Sequence, residues 1–453
     1  MGTYLLSAVP SSRENLQSFI YLLALNLKFM PFKLGAEFSA AAQLITATVA
    51  GQLVTFLLYP VMARLYTPTA FGVFATFLTI SSCVLPLATG CYEQAIINTT
   101  SSEERQRLHS LIFHRLFRFA VICAVGVLSF LLLNGLYLGR DIPLLPLVLL
   151  PIGVIFQATF VTVTETLVKV AEFRPLALAK ILVGSGSAIS RSVLGILGSS
   201  GPLMVVGDVV AKGLITAWSL VTLRKLGYTA GIGLRLAVSE KVKLSNRYKK
   251  FPLMILPEQI LNIVAGGIHV LVISIFFGAE ALGYVSLVFS ALYFPVTVLT
   301  SSVKDVFRSY GSAAYEQQGT CQALYIKFLL ILVPVGAIIF APLFVFSEPL
   351  VLLAFGAQWE KSAEYVKVMV PAFYSNFVAM SFAGVMIFTN RLSAALKWQA
   401  VSLVATTVSL LVGALYFKSV MTTLVLFSAT RTVSYILYAA LAFIFSKRYV
   451  YVE

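Results

Sequence analysis

Lys180, Gly184, Ser187 and Arg191 fall at i, i+4, i+7 and i+11, so on a helix two cations and two small residues share one face. Glu258, Asn262, Gly266 and His269 repeat that pattern, and Ser286, Ser290, Tyr293, Thr297 and Ser301 form a third polar stripe. Arg431 stands inside a long apolar run, Asp208 and Lys212 lie one helical turn apart, and Arg64 closes an apolar run that carries Gln43 and Thr46. The chemistry these groups suit is anion binding. A phosphate or pyrophosphate pairs well with several Lys and Arg side chains, and each pairing gains more in a low dielectric than in water. Glu93, Asp208 and Glu258, with His269, could exchange protons or ions and reset such a cavity between two states. No catalytic constellation accompanies them: the chain has no GxSxG, Walker A or DxD-like motif. Its four cysteines, Cys83, Cys91, Cys123 and Cys321, form no CxxC or Cys/His cluster, and its histidines are scattered. No enzyme, metal, disulfide or cofactor is therefore expected.

These residues must be positioned by membrane helices. Of 453 residues, 59% are hydrophobic and only 11% charged, against about 25% charged in soluble proteins. A spanning helix needs roughly 20 apolar residues, so about twelve fit the chain. Apolar runs bounded by charge, Gly and Pro predict spans at 38–62, 70–96, 113–138, 143–168, 176–198, 202–223, 252–277, 283–303, 324–346, 364–389, 396–417 and 420–445. The expected fold class is an all-α polytopic membrane protein. Runs of this length exclude an outer-membrane barrel, whose strands alternate, and the composition excludes a secreted disulfide scaffold or a soluble enzyme with one anchor.

The net charge of +15 is a topology signal before it is anything else. The longest polar interruption, 224–250, holds Arg224, Lys225, Arg235, Lys241, Lys243, Arg247, Lys249 and Lys250 against Glu240 alone. By the positive-inside rule it is cytoplasmic, as are Arg105, Arg107, Arg115 and Arg118 after span two and Lys447 and Arg448 after span twelve. Both termini are then cytoplasmic, and nucleic acid is not an expected partner. The predicted organisation is an N-terminal segment 1–37, an N-lobe 38–223 with spans one to six, a basic linker 224–251, a C-lobe 252–446 with spans seven to twelve, and a tail 447–453. The first 36 residues lack a cleavage site after the 19–27 apolar run. They form either an interfacial segment or sequence upstream of a true start at Met30. The 347–367 segment, with balanced charge, reads as the one sizeable outer loop.

Six spans on each side of the linker give both halves the same orientation, the condition for parallel repeats. An internal match supports this: Tyr66-Thr67-Pro68-Thr69-Ala70-Phe71-Gly72-Val73-Phe74 aligns with Phe277-Gly278-Ala279-Glu280-Ala281-Leu282-Gly283-Tyr284-Val285. Polar side chains in the spans should face the bundle interior, because hydrocarbon penalises them. Asp208 and Lys212 could neutralise each other as a structural pair. Arg431 could serve either as a cavity ligand or as a helix–helix partner. Lys397, Glu93, Glu165 and Lys169 lie near span ends, where snorkelling explains them. The candidate cargo site is Arg64, Lys180, Arg191, Lys212 and Arg431, with Asn262, His269, Ser290 and Tyr293 on its polar lining; Glu93, Asp208 and Glu258 are candidates for coupling.

A family resemblance adds to this reading. Ala42-Gln43, the run from Pro60 through Arg64-Leu65-Tyr66-Thr67-Pro68 and Phe71-Gly72-Val73-Phe74 to Ala75, and Tyr92-Glu93-Gln94-Ala95-Ile96 resemble the start of the Wzx-type polysaccharide repeat-unit flippases. These belong to the superfamily that also holds the MATE multidrug exporters and the lipid II flippases. Phe276-Phe277-Gly278, Gly283-Tyr284, Pro295, Asp305-Val306-Phe307 and Phe355-Gly356-Ala357-Gln358-Trp359 extend the resemblance, which covers roughly 38–390. The chain departs from the pattern at Thr69 and Ala70, where acidic residues are common, and at Cys91 and Ser290, where basic ones are frequent. The resemblance implies two six-helix lobes around a central cavity. It also implies alternating access that moves an undecaprenyl-pyrophosphate-linked oligosaccharide, such as an O-antigen unit, across the bacterial inner membrane. Membrane lipids and other proteins of the glycan assembly system are the implied partners. The family motif covers Arg64, Tyr66 and Glu93; Lys180, Arg191 and Arg431 rest on the stripe pattern. Two alternatives stand beside the flippase: a cation-coupled small-molecule exporter, whose cavity should carry carboxylates, and a membrane glycan polymerase, whose outer loop should be larger than 347–367.

Overall fold

The computed structural model describes residues 36–133, 144–228 and 237–447. The segment before 36, Arg235 and the tail after 447 lie outside them. Helices α1 (Ala36–Leu65), α2 (Pro68–Thr89), α3 (Ser102–Leu133), α4 (Leu144–Lys169), α5 (Phe173–Leu197) and α6 (Gly201–Lys225) come first. A short surface helix α7 (Val238–Arg247) leads through a π turn to α8 (Leu256–Gln318). Then follow α9 (Gln322–Val345), α10 (Ser347–Phe355), α11 (Glu360–Met380), α12 (Gly384–Phe388), α13 (Leu392–Val412) and α14 (Val420–Ser446).

Eleven described helical stretches are long and apolar enough to cross a membrane. The longest contains α8, whose 63 residues would run about 95 Å at ~1.5 Å per residue, three times a ~30 Å hydrocarbon core. It cannot be one crossing. Gly278, at φ 83° and ψ 179°, breaks it in a conformation open essentially to glycine. The two limbs match the expected spans seven and eight, which makes twelve candidate crossings among the described residues. Leu197, Leu214, Leu330 and Val401 project outward, exposed, as side chains facing lipid do.

Two lobes result. In the first, α1 packs on α5, α5 on α6 and α6 on α4; in the second, α11 packs on α14, α14 on α13 and α9 on α11. The most extensive contact of all, α2 against α8, joins them. Two ends of the bundle can be told apart. The α1–α2 turn, Gly278 and α10 mark one, here the turn end; α7 and the start of α3 mark the other, the linker end. Local signals explain the turn between α1 and α2: Thr67 caps α2 by accepting from the Ala70 N–H at 3.2 Å, and Pro68 supplies a preset φ at the first helical position.

Two expectations need adjustment. The second span stops at Thr89 rather than 96, because Gly90 and Cys91 turn left-handed (φ 66° and 59°) and a 3₁₀ turn, Tyr92–Asn98, follows. The 347–367 segment is not a loop: Ser347-Glu348-Pro349 is a helix start, α10 follows from it, and α11 already begins at Glu360. Weighing its charges alone hides the apolar run Leu350–Phe355.

The linker helix α7 docks on the first lobe. Arg247 pairs with Glu104 at 3.0 Å and Arg107 with Glu240 at 3.6 Å. The Tyr248 hydroxyl donates to Glu104 Oε1 at 2.9 Å, and Tyr92 and Ser245 share a hydrogen bond at 2.8 Å. Burial and the adjacent carboxylate push the Tyr248 phenol up to about 12, so it keeps its proton at neutral pH.

Candidate functional site

The cavity lies in the second lobe, between α8, α11 and α14, and measures about 490 Å³. That is within the usual range for a small-molecule site. Its polar groups are His269, Ser290 and Tyr293 from α8, Asn376 from α11, and Arg431 and Tyr435 from α14. Phe289, Phe373 and Phe427 supply most of the aromatic wall. The rings are interlocked: His269 stacks on Phe289 at 3.9 Å and 12°, while Phe373 and Phe427 stand 5.6 and 5.9 Å from Phe289. His269 is buried, whereas Tyr293 is 62% exposed and forms part of the rim.

Arg431 is the cavity's cation. One guanidinium nitrogen donates to the Tyr435 hydroxyl at 2.6 Å, one helical turn away, and the guanidinium carbon sits 4.9 Å from that ring's centroid. Tyr435 neighbours Trp398, whose indole N–H donates to the Ser434 carbonyl at 2.9 Å, while Ser434 donates to Ser402 at 2.7 Å. These bonds fix α14 against α13 and hence the direction of Arg431. A half-buried cation held by a neutral phenol, beside an amide, hydroxyls and aromatic faces, can take an anion on one side and a sugar ring on the other.

A second polar cluster is sealed inside the first lobe. Asp208 accepts from the Ser187 hydroxyl and pairs with Lys212 at 2.8 Å; Lys212 also donates to Gln157 Oε1 at 3.1 Å. Arg191 donates from Nε to the Ser187 carbonyl at 3.0 Å and lies 4.7 Å over Phe74, while the Tyr66 hydroxyl donates to the Arg191 carbonyl at 2.8 Å. Asp208 answers Lys212, and the charge of Arg191 lies against the Phe74 ring and the Ser187 carbonyl.

The remaining candidates are dispersed. Arg64 is at the turn end, donating to the Leu353 carbonyl of α10 at 2.6 Å. Lys180 is exposed on α5, and Glu258 is exposed near the start of α8. Asn262 is exposed and accepts from Gln399 of α13 at 3.0 Å. Glu93 is buried in the 3₁₀ turn at the linker end. The structure thus brings Arg431, His269, Ser290 and Tyr293 together and keeps Arg191, Lys212 and Asp208 in their own cluster. Sequence reasoning missed Asn376 and Tyr435. Asn376 is a polar residue in the middle of a span, a signal that was legible; Tyr435 follows Arg431 by one helical turn. The aromatic wall carries no separate signal, since phenylalanines at helical spacing look like core.

The candidate crossings among the described residues, in two lobes with a cavity inside the second, define a multi-pass helical membrane protein. The family model described as polysaccharide biosynthesis protein matches residues 61–364, and the chain belongs to that family. No curated protein matches in sequence. Among solved structures, lipid II flippase MurJ in an inward closed conformation superposes with a TM-score of 0.65 at 14% identity, covering 89% of each chain. An inward-facing multidrug resistance MATE family transporter of the MOP superfamily gives 0.57 at 12% identity, over 86% of this chain and 93% of that one. An outward-facing structure of such a transporter gives 0.53 at 13% identity, over 89% and 94%. The chain shares its fold with these flippase and transporter structures.

Proposed function

We propose that this protein is a flippase that moves undecaprenyl-pyrophosphate-linked oligosaccharide repeat units, of an O-antigen or a related surface polysaccharide, from the cytoplasmic to the periplasmic leaflet of the bacterial inner membrane. The observation that carries the reading is the second-lobe cavity, where Arg431 stands beside aromatic faces and neutral polar groups. Such a cargo head has an anionic pyrophosphate next to sugar rings, and the cavity offers a surface for each. Membership in a polysaccharide biosynthesis family and the fold shared with MurJ support the same cargo class. The basic linker end faces the cytoplasm under this reading, so both termini do as well. Outside the cavity, Arg191, Lys212, Lys180 and Arg64 stay candidates for cargo contact and Asp208, Glu93 and Glu258 for coupling, with Arg191, Lys212 and Asp208 held in their own cluster. A cation-coupled exporter would call for carboxylates in the cavity, and none of its described lining residues is acidic.

The test is a strain deleted for the gene, scored for surface polysaccharide and for lipid-linked repeat units on the cytoplasmic leaflet. Lost display with units accumulating on that leaflet is the expected result. Normal display without accumulation, or units that reach the periplasm and remain unpolymerised, would reject translocation as the step.

A further inference from the structure

The face of α8 that lines the cavity carries on past it. Ser290 and Tyr293 belong to the cavity wall, and their polar stripe continues through Thr297 and Ser301 to Asp305, Arg308, Ser312 and Glu316 in steps of three or four residues. Tyr293, Ser301, Asp305 and Arg308 are exposed. Hydrocarbon would penalise such a face, so it looks onto water. By Asp305 the second limb of α8 has run about 40 Å from Gly278 at ~1.5 Å per residue, more than a ~30 Å hydrocarbon core. The last part of the stripe therefore stands at the linker end.

There it forms one wall of a second pocket, of about 710 Å³, whose other wall is Ile387 and Phe388 of α12. Two glycines let the walls approach. A Cβ on Gly384 of α12 would come within 3.0 Å of the Arg308 Cβ, and one on Gly311 of α8 within 3.1 Å of the Phe388 ring. Phe388 is thereby held beside Gly311 and Tyr315, whose ring centroid is 5.9 Å from its own. The α8 wall is polar throughout, made of Asp305, Arg308, Ser309, Ser312 and Glu316. Ser312 donates to Glu316 Oε1 at 3.3 Å. None of the three charged groups forms an ion pair among the described residues, although Asp305 and Arg308 lie one helical turn apart. Two carboxylates, a guanidinium and two hydroxyls thus open into one space with most of their hydrogen-bonding capacity unused.

We propose that this linker-end pocket is a glycan-binding subsite, which takes neutral or amino sugars and is separate from the site at Arg431. Its charge is wrong for the cargo head: two carboxylates against one guanidinium leave it net negative, and a pyrophosphate is repelled. A sugar ring asks for what is there. Its hydroxyls donate to the carboxylates and accept from the guanidinium, in bonds of the charge-assisted kind, while the Phe388 face covers the C–H side of the ring. An amino sugar adds a cation for Asp305 or Glu316 to meet. The two pockets sort the two halves of the cargo, the anionic head to a lone cation and the sugars to a mixed polar surface nearer the linker. The inference rests on the proposed function for the identity of the glycan, and binding of free sugar is read apart from transport.

The probe is the single oligosaccharide repeat unit, cut by mild acid from the surface polysaccharide of the host strain and titrated into purified protein by saturation-transfer NMR. Asp305→Asn combined with Glu316→Gln keeps the shape of both side chains and should weaken binding at least tenfold. Ser309→Trp fills the pocket and should abolish it. Both proteins, shown to be folded by thermal unfolding, should bind undecaprenyl pyrophosphate that carries no sugar within twofold of the parent. Folded variants that bind the oligosaccharide as the parent does would overturn the subsite, and so would a tenfold loss of the sugar-free carrier in the same variants. A parent protein that binds no oligosaccharide overturns it too, and leaves the flippase standing if the deletion strain accumulates lipid-linked units. Oligosaccharide binding that is lost in the variants, beside normal display in the deletion strain, keeps the subsite and rejects the flippase.

Discussion

Replacing Arg431 tests the cavity most directly. The guanidinium has five N–H donors, and Tyr435 takes one of them at 2.6 Å. A charge-assisted pairing with a pyrophosphate oxygen contributes on the order of 1.5–3 kcal/mol, which converts to roughly 10- to 150-fold in affinity. Arg431→Ala should therefore weaken binding of undecaprenyl pyrophosphate by about that factor, while Arg431→Lys, which keeps the charge but loses the planar fork, should fall between. Tyr435→Phe removes only the bond that aims the guanidinium and leaves the ring beneath it. Its cost should be about 0.5–1.5 kcal/mol, or ~2- to 10-fold. The assay is ligand titration of purified protein followed by tryptophan fluorescence or native mass spectrometry, run beside complementation of surface display. Folded Arg431→Ala protein that binds within twofold of the parent would refute the assignment of the pyrophosphate to this cavity.

Breaking the Asp208–Lys212 pair from one side should destabilise the protein by about 3–5 kcal/mol, because a buried charge is left unanswered; thermal unfolding in detergent measures this, and the exchanged pair Asp208→Lys with Lys212→Asp should recover most of it if the role is structural. Tyr248→Phe should loosen α7 from α3 by about 1 kcal/mol, the size of one hydrogen bond, and faster proteolysis within the linker would report it. Gly278→Ala places a side chain where the backbone is open essentially to glycine, at a cost on the order of 1–3 kcal/mol, and should lower the yield of folded protein far more than Gly126→Ala, where a Cβ meets nothing.

Much of the fold was legible because hydrocarbon leaves few options. Apolar runs longer than ~20 residues could only be crossings, and even the break between spans seven and eight was marked by Gly278. The internal match of Gly72 with Gly283 pointed to a repeat; that the two glycines meet the opposite helix, at Ala279 and Pro68, is visible only in the structure. The site was less legible. Helical spacing says which residues share a face, not which neighbour that face meets: Asn262 and His269 lie on one stripe, yet Asn262 meets Gln399 and His269 stacks on Phe289. Trp359 and Gln358 were read only as part of a motif, since their bonds to the Ala63 carbonyl of α1 have no periodic trace.

The two lobes share a frame and divide the charge. Where α2 crosses α8 their repeat is obeyed to the level of single glycines, Gly72 against the Ala279 carbonyl and Gly283 against the Pro68 carbonyl. Inside, the symmetry fails. The first lobe pairs Asp208 with Lys212 and buries Arg191 against the Phe74 ring and the Ser187 carbonyl, away from the cavity. In the second, Arg431 meets only a phenol and keeps its charge for something that enters. A symmetric pair of cation sites would hold an anionic head equally from both sides and resist separation of the lobes. Under the proposed function, a single cation on one wall would let the head stay with the second lobe while the lobes move apart. On this view, adding a cation to the facing wall of the first lobe should tighten binding and slow translocation together, and an increase in both would sink the idea.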